Sequence, residues 1–136
     1  MYPLMLGLLA EALGRSGKIH EGTQTLDQAF AEIIDGDGQF FVAELYRIKG
    51  DLLQQCGAET SDIETAYQQA ITLARQQEAK SWELRATIRL ARLFQVVGKA
   101  SEARLALAEI FDWFSEGFNT HDLQEALALL VELRDA

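Results

Sequence analysis

Apolar side chains recur along this chain at intervals of three and four, the spacing that lines one side of an α-helix. The first such stretch opens at Pro3, whose missing N–H is harmless because first-turn donors have no intrahelical partner, and carries Leu6, Leu9, Ala10 and Leu13. Gly14-Arg15-Ser16-Gly17 breaks it. A second helix is expected over residues 18–34, with Gly22, Leu26, Ala29, Phe30 and Ile33 on one stripe, closed by Asp35-Gly36-Asp37-Gly38. A third starts near Phe40, carries Leu45, Tyr46, Ile48, Leu52 and Leu53, and stops at Cys56-Gly57. Its partner follows Thr60-Ser61-Asp62, where Ser61 and Glu64 have the spacing of a capping box, and its stripe runs from Ile63 to Ala74. Further helices are expected over residues 81–97 and 100–114. A seventh opens at Asn119-Thr120, with Asp122 in its first turn and Leu123, Leu127, Leu130 and Val131 along one side.

The helices come in pairs at a fixed pitch. Gly17, Gly57 and Gly98 stand 40 and 41 residues apart, each between two apolar stretches. A period of this size marks a repeat array, in which one helical hairpin cannot bury its apolar face alone and leans on the next. The expected fold is all-α, a solenoid of three hairpins over residues 3–38, 39–79 and 80–118. A capping helix over 119–136 completes a single domain spanning 1–136. The first helix is apolar on several sides, with Leu4, Met5, Leu8 and Leu9 adjacent, so the chain is expected to be a fragment of a longer one.

Aligned on those glycines, the hairpins carry small and large residues at recurring offsets. The first supplies Leu6, Leu9, Ala10, Leu13, Gly22, Leu26 and Ala29; the second Tyr46, Gly50, Leu53, Tyr67 and Ala70; the third Leu90, Ala91, Phe94, Ala103 and Leu107. This pattern resembles the tetratricopeptide repeat, a right-handed α-solenoid. The period here is longer than that family's ~34 residues, and Lys49 stands where it usually has Leu. Residues 43–53, 80–93, 113–118 and 122–126 are similar to the C-terminal repeats of bacterial signalling proteins that join a class III adenylate cyclase-type domain, or another effector, to a STAND-type ATPase. The resemblance implies a non-catalytic protein–protein interaction or scaffolding module, the regulatory tail of such a protein. The expected partner is a protein or peptide, including other domains of the parent chain.

In that family the first helix of each pair lines a concave groove. Its ligand-facing offsets fall here on Glu11 and Arg15, on Glu44, Arg47, Asp51 and Gln54, and on Arg85, Ile88, Arg92 and Gln95. Arg85 and Arg92 are candidates to grip carboxylates as planar forks. The plainer reading of the same residues is a solvated face with intrahelical pairs such as Arg47 with Asp51. An alternative function is self-association through Leu4, Met5 and Leu8, or a purely architectural segment; a small-molecule sensor is the weaker third. Trp82, Trp113, Phe114 and Phe118 are either core or binding anchors.

Composition narrows the classes. Twelve Lys and Arg against 21 Asp and Glu give a net charge of −9, which disfavours nucleic acid and anionic membranes and favours partners with basic patches. A basic leader is absent before the apolar run, and Glu11 interrupts it, so the expected compartment is cytoplasmic. Cys56 is the only cysteine, which leaves neither an intramolecular disulfide nor a cysteine-based zinc site. Gly17-Lys18 and Gly98-Lys99 lack the glycine that a phosphate-binding loop needs five positions earlier, since Ala12 and Leu93 stand there. A calcium loop counted from Asp35 finds Phe40 and Tyr46 where Gly and Glu belong. His20 and His121 are a hundred residues apart and suggest no catalytic pairing. No cofactor, metal or catalytic residue is expected.

Overall fold

A computed structural model describes residues 3–33 and 41–134. Among these residues it contains seven helices and no strand: α1 (Pro3–Arg15), α2 (Ile19–Ala31), α3 (Val42–Gln55), α4 (Thr60–Gln76), α5 (Lys80–Val96), α6 (Ala100–Phe111) and α7 (His121–Arg134). The all-α expectation holds for these residues. The Asp35–Gly38 segment and Phe40 lie outside them.

The glycines act where the pattern placed them. Gly17, Gly57 and Gly98 have φ of 85°, 78° and 84°, a left-handed conformation that side chains resist. Each ends a helix in the same way. The amide after the glycine donates to a carbonyl five residues back, as Lys18 does to Leu13 (2.8 Å), and the glycine's own amide bonds three back, as Gly17 does to Gly14 (3.0 Å). A fourth turn, between α4 and α5, has this geometry without glycine. There Glu78 takes φ 56°, while Ala79 donates to Ala74 (2.8 Å) and Glu78 to Arg75 (3.1 Å).

Two helix starts differ in outcome. Thr120 caps α7, its Oγ1 accepting the Leu123 N–H at 3.4 Å. The capping box at Ser61 does not form, because α4 begins at Thr60 and Ser61 is already inside the helix. The Ser61 carbonyl instead accepts the Thr65 hydroxyl at 2.8 Å. Both α2 and α6 also stop three residues short of the expected ends.

Each helix packs on the next, and the odd-numbered ones also touch one another in series: α1 with α3, α3 with α5, α5 with α7. Two apolar cores result, with α3 between them. Leu45, Ile48 and Leu52 of α3 join Leu6, Ala10, Leu26 and Ala29 in the first core. Tyr46 and Leu53, on another side of α3, pack against the second, which runs from α4 to α7.

Small residues set the approach distances. A Cβ on Gly7 would come within 2.5 Å of Leu45, one on Gly14 within 2.6 Å of Leu52, and one on Gly50 would collide with the Tyr67 ring. Lys49 leaves this packing undisturbed. It is exposed, with its ammonium 5.8 Å from the Tyr46 ring centroid.

One stripe is rotated from its expected position. In α7 the buried side is Leu123, Ala126, Leu129 and Leu133, while Leu127 and Val131 are exposed. Both stripes have helical spacing, and the one carrying Ala126 faces the core, where that residue is fully enclosed.

Glu78 yields a prediction. A non-glycine residue in the left-handed region costs about 1 kcal/mol, so Glu78→Gly should raise stability by up to that amount, or about 3–4 °C in the thermal midpoint. Calorimetry on the two chains checks this. Gly57→Ala should shift the midpoint the other way.

Candidate functional site

The odd-numbered helices share more than apolar contacts. Their charged side chains converge into one network centred on Arg47, whose side chain is 3% exposed. Its Nη1 donates to Glu11 of α1 and to Asp51 (2.9 Å), and its Nη2 donates to Glu44 (3.2 Å). Arg85 of α5 bridges in both directions, with Nη1 on Glu44 at 2.9 Å and Nη2 on Asp122 of α7 at 3.0 Å. Arg89 reaches Asp51 (3.3 Å), Arg92 reaches Glu125 (3.1 Å), and Arg15 reaches Glu11 (3.5 Å). Tyr67 of α4 extends the network into the core by donating its hydroxyl to Asp51 at 2.6 Å.

The ionisation of these groups follows from their partners. Burial alone would raise the Glu11 carboxyl, but Arg47, Arg15 and Arg89 outweigh it and hold it below its ordinary value of 4.5. Burial would likewise lower Arg47, yet Glu44, Asp51 and Glu11 together push it up. Arg85 also rises, because Asp122 and Glu44 overcome its desolvation. The Tyr67 hydroxyl is pushed up first by burial and then by the charge of Asp51, to which it donates.

Five arginines therefore face five carboxylates, and the network is neutral in sum. It is not neutral in depth. The carboxylates of Glu11, Glu44, Asp51, Asp122 and Glu125 are at most 20% exposed. Arg15, Arg92 and Arg85 are 68%, 40% and 36% exposed. Arg15, Arg85 and Arg92 face solvent above the carboxylates, whereas Arg47 (3%) and Arg89 (24%) lie among them.

Three adjoining clefts run over this network. One of about 490 Å³ is floored by Leu84, Phe114 and Leu123 and rimmed by Arg85, His121 and Asp122. The next, about 210 Å³, shares that rim and extends to Glu11, Arg15 and Arg89. The third, about 300 Å³, continues from Arg15 and Arg89 to Gln54 and Gln55. Together they make a trough with an apolar floor at the α7 end, charges of both signs in the middle, and Gln54 and Gln55 beside charged groups at the other end. A larger cleft of about 590 Å³ lies along α4 beside Tyr46, lined mainly by hydroxyl and amide side chains.

Most of the expected groove residues are brought together here, with corrections. Ile88 is fully enclosed and presents nothing to a ligand, because α5 is packed against α3, α4, α6 and α7. Glu44 and Arg47 are 5% and 2% exposed, so they form the floor of the network and not its contact surface. Gln95 is tied to Glu132 at 3.3 Å. Three contributors were missed: Arg89, Asp122 and Glu125. Arg85, Arg89 and Arg92 stand at helical spacing on α5, and Asp122 and Glu125 likewise on α7, so the signal was present in both segments.

No family model matches the chain, and no curated protein matches it.

The other candidate residues are scattered. Trp113 and Phe118 are 60% and 47% exposed beside the apolar end of the trough, with the Lys80 ammonium 5.6 Å from the Trp113 ring, while Trp82 and Phe114 are half-buried. Met5 and Leu8 are exposed and Leu4 is half-buried. His20, His121 and Cys56 lie on the surface. Among the described residues no group of three or more His, Cys, Asp or Glu is placed to hold a metal ion, and no helix is long and apolar enough to cross a membrane.

Two outcomes follow from the network. Arg47→Ala would leave Glu11, Glu44 and Asp51 with only Arg15, Arg85 and Arg89 and a vacated buried site between them. It should lower stability by about 3 kcal/mol in urea unfolding, the low end of the cost of breaking a buried pair. Because Glu11 has a depressed folded-state value, its stabilising contribution is present above pH 4.5 and is lost as pH falls through that lower value. Glu11→Gln should therefore flatten the acid limb of a stability–pH profile.

Proposed function

We propose that this chain is a non-catalytic interaction module whose trough receives an acidic segment of a partner protein. The observation that carries this reading is the exposure of Arg15, Arg85 and Arg92 over carboxylates that are at most 20% exposed, while Arg47 and Arg89 lie deeper. A carboxylate entering the trough meets Arg15 and Arg85, which line it, with Arg92 next to it on the lining residue Glu125, and each has donors left over from its internal pairs. The net charge of −9 acts against such a ligand at long range. At physiological ionic strength that field is screened beyond about 8 Å, so contact with the cationic rim decides the outcome. The partner class thus differs from the basic one that net charge alone suggests. Phe114, Leu84 and Leu123 add a place for one apolar side chain next to the charged stretch.

The catalytic reading draws no support from the trough's carboxylates, which are engaged by arginines. The serial contact of α1, α3, α5 and α7 and the constant pitch support the finer description of a right-handed tetratricopeptide-like solenoid, with α7 as its cap. The resemblance over residues 43–53 and 80–93 supports placing it as the regulatory tail of a bacterial cyclase- or ATPase-linked signalling protein. Its partner is then another protein or a domain of its own parent chain.

The test is a fluorescence anisotropy titration with a labelled peptide that alternates Glu with single aromatic residues. It should bind at least tenfold more tightly than its Gln counterpart, and affinity should fall with added salt. Replacing Arg15 and Arg92 with Gln should weaken binding about tenfold each, equivalent to about 1.4 kcal/mol per site. Equal binding of the Glu and Gln peptides, or a preference for a Lys-containing one, would contradict the proposal.

A further inference from the structure

The outer side of α1 carries an apolar stripe with no counterpart elsewhere among the first helices. Met5, Leu8 and Leu9 are 55%, 50% and 44% exposed, and Ala12 is exposed with them at the same helical spacing. No charged residue stands between Pro3 and Ala10. Glu11, the first charge along α1, bonds Arg47 and not the stripe.

What covers this side of a first helix is visible one unit further along. The shift of 40 that carries Gly17 to Gly57 carries Met5 to Leu45, Leu8 to Ile48 and Ala12 to Leu52. Those three residues of α3 are 0%, 1% and 3% exposed. They are buried by α1 and α2, with Leu45 and Ile48 against Gly7 and Leu52 between Gly14 and Gly22. The next shift, of 41, carries Leu45 and Leu52 to Ala86 and Leu93 of α5, again 1% and 4% exposed. Two positions depart. Leu9 maps to Lys49, which is exposed, and Ile48 to Arg89, which is half-buried in the charged network, while Lys49 maps to the buried Leu90. The other positions of this side are buried in the second and third units and open in the first. Where it is buried most tightly, large side chains enter a socket that a helix pair makes with small residues.

We infer that the outer side of α1 is a stacking surface for a further two-helix unit, one presenting small residues at the positions that Gly7, Gly14 and Gly22 occupy in α1 and α2. A second copy of the chain pairing through the same side is the poorer fit. Its stripe presents large side chains to large side chains, and the small residues of α1 (Gly7, Ala10 and Gly14) already face inward and are buried. Other small-residue approaches of the chain are filled, Gly22 by Leu52 and Gly50 by Tyr67. Two copies, each of charge −9, also repel.

The experiment extends the full chain by one unit, placing a second copy of residues 1–40 ahead of Met1 so that the period is kept. Leu8→Cys in the original α1, with Cys56→Ser to remove the native thiol, reports access to the stripe. Thiol labelling should be at least tenfold slower in the extended chain than in the unextended one, and the thermal midpoint should rise by at least 5 °C in a single transition. Gly22→Leu in the added unit, which fills its socket, should return the labelling rate to that of the unextended chain. Unchanged labelling on extension, or protection that survives the filled socket, would overturn the inference. So would sedimentation of the unextended chain as a dimer that Leu8→Asp dissociates and Leu127→Asp does not, since the stripe would then be covered by its own copy.

Discussion

The structure depends on the absence of side chains at a few helix crossings. Gly7, Gly14 and Gly22 let α3 approach α1 and α2 closely enough for Leu45, Ile48 and Leu52 to be sealed from water, and Gly50 lets the Tyr67 ring lie against the α3 backbone. Protein interiors are close-packed, so an added methyl at Gly7 or Gly14 must displace a Leu45, Leu52 or Gln55 side-chain end, and one at Gly22 or Gly50 meets the Ala10 carbonyl or the Tyr67 ring, which have less room to move. Because α3 belongs to both cores, its position decides how the first pair sits on the remainder. Tyr67 then carries that position to the charged side through its hydroxyl on Asp51.

The trough is a consequence of that spacing. Arg47 spans α1 and α3, and Arg85 spans α3, α5 and α7, so each guanidinium needs its neighbouring helix at a set distance. Buried ion pairs of this kind contribute little to net stability because desolvation offsets much of the Coulomb gain. Their effect is on register and on which charge reaches solvent. With the carboxylates largely covered, a strongly acidic chain exposes the guanidiniums of Arg15, Arg85 and Arg92 on this side.

Much of the architecture was legible in the residues. The three glycines that mark the pitch all adopt left-handed φ, a requirement that the sequence advertises directly. Glu78 takes the same conformation with no glycine to signal it, so the turn between α4 and α5 is placed by the apolar stripes on either side and not by its own residues. The stripe on α7 was ambiguous for a different reason: leucines at 123, 127, 129, 130 and 133 line two sides equally well, and the choice is made by Ala126 and the neighbours α5 and α6. Ser61 shows the sensitivity of a capping motif to one residue of helix boundary. At the site, offsets borrowed from a repeat pattern found Arg85 and Arg92 but skipped Arg89 and selected the enclosed Ile88. A repeat offset does not register that α5 has helices on nearly every side.

The most direct check of the central claim is a methyl NOE spectrum of the chain in solution. It should show contacts from the Leu45 methyls to the Gly7 α-protons, and from the Leu52 methyls to those of Gly14 and Gly22. Their absence, or contacts from the same methyls to α6 or α7, would contradict an architecture in which each unit is sealed by its neighbour through small-residue crossings.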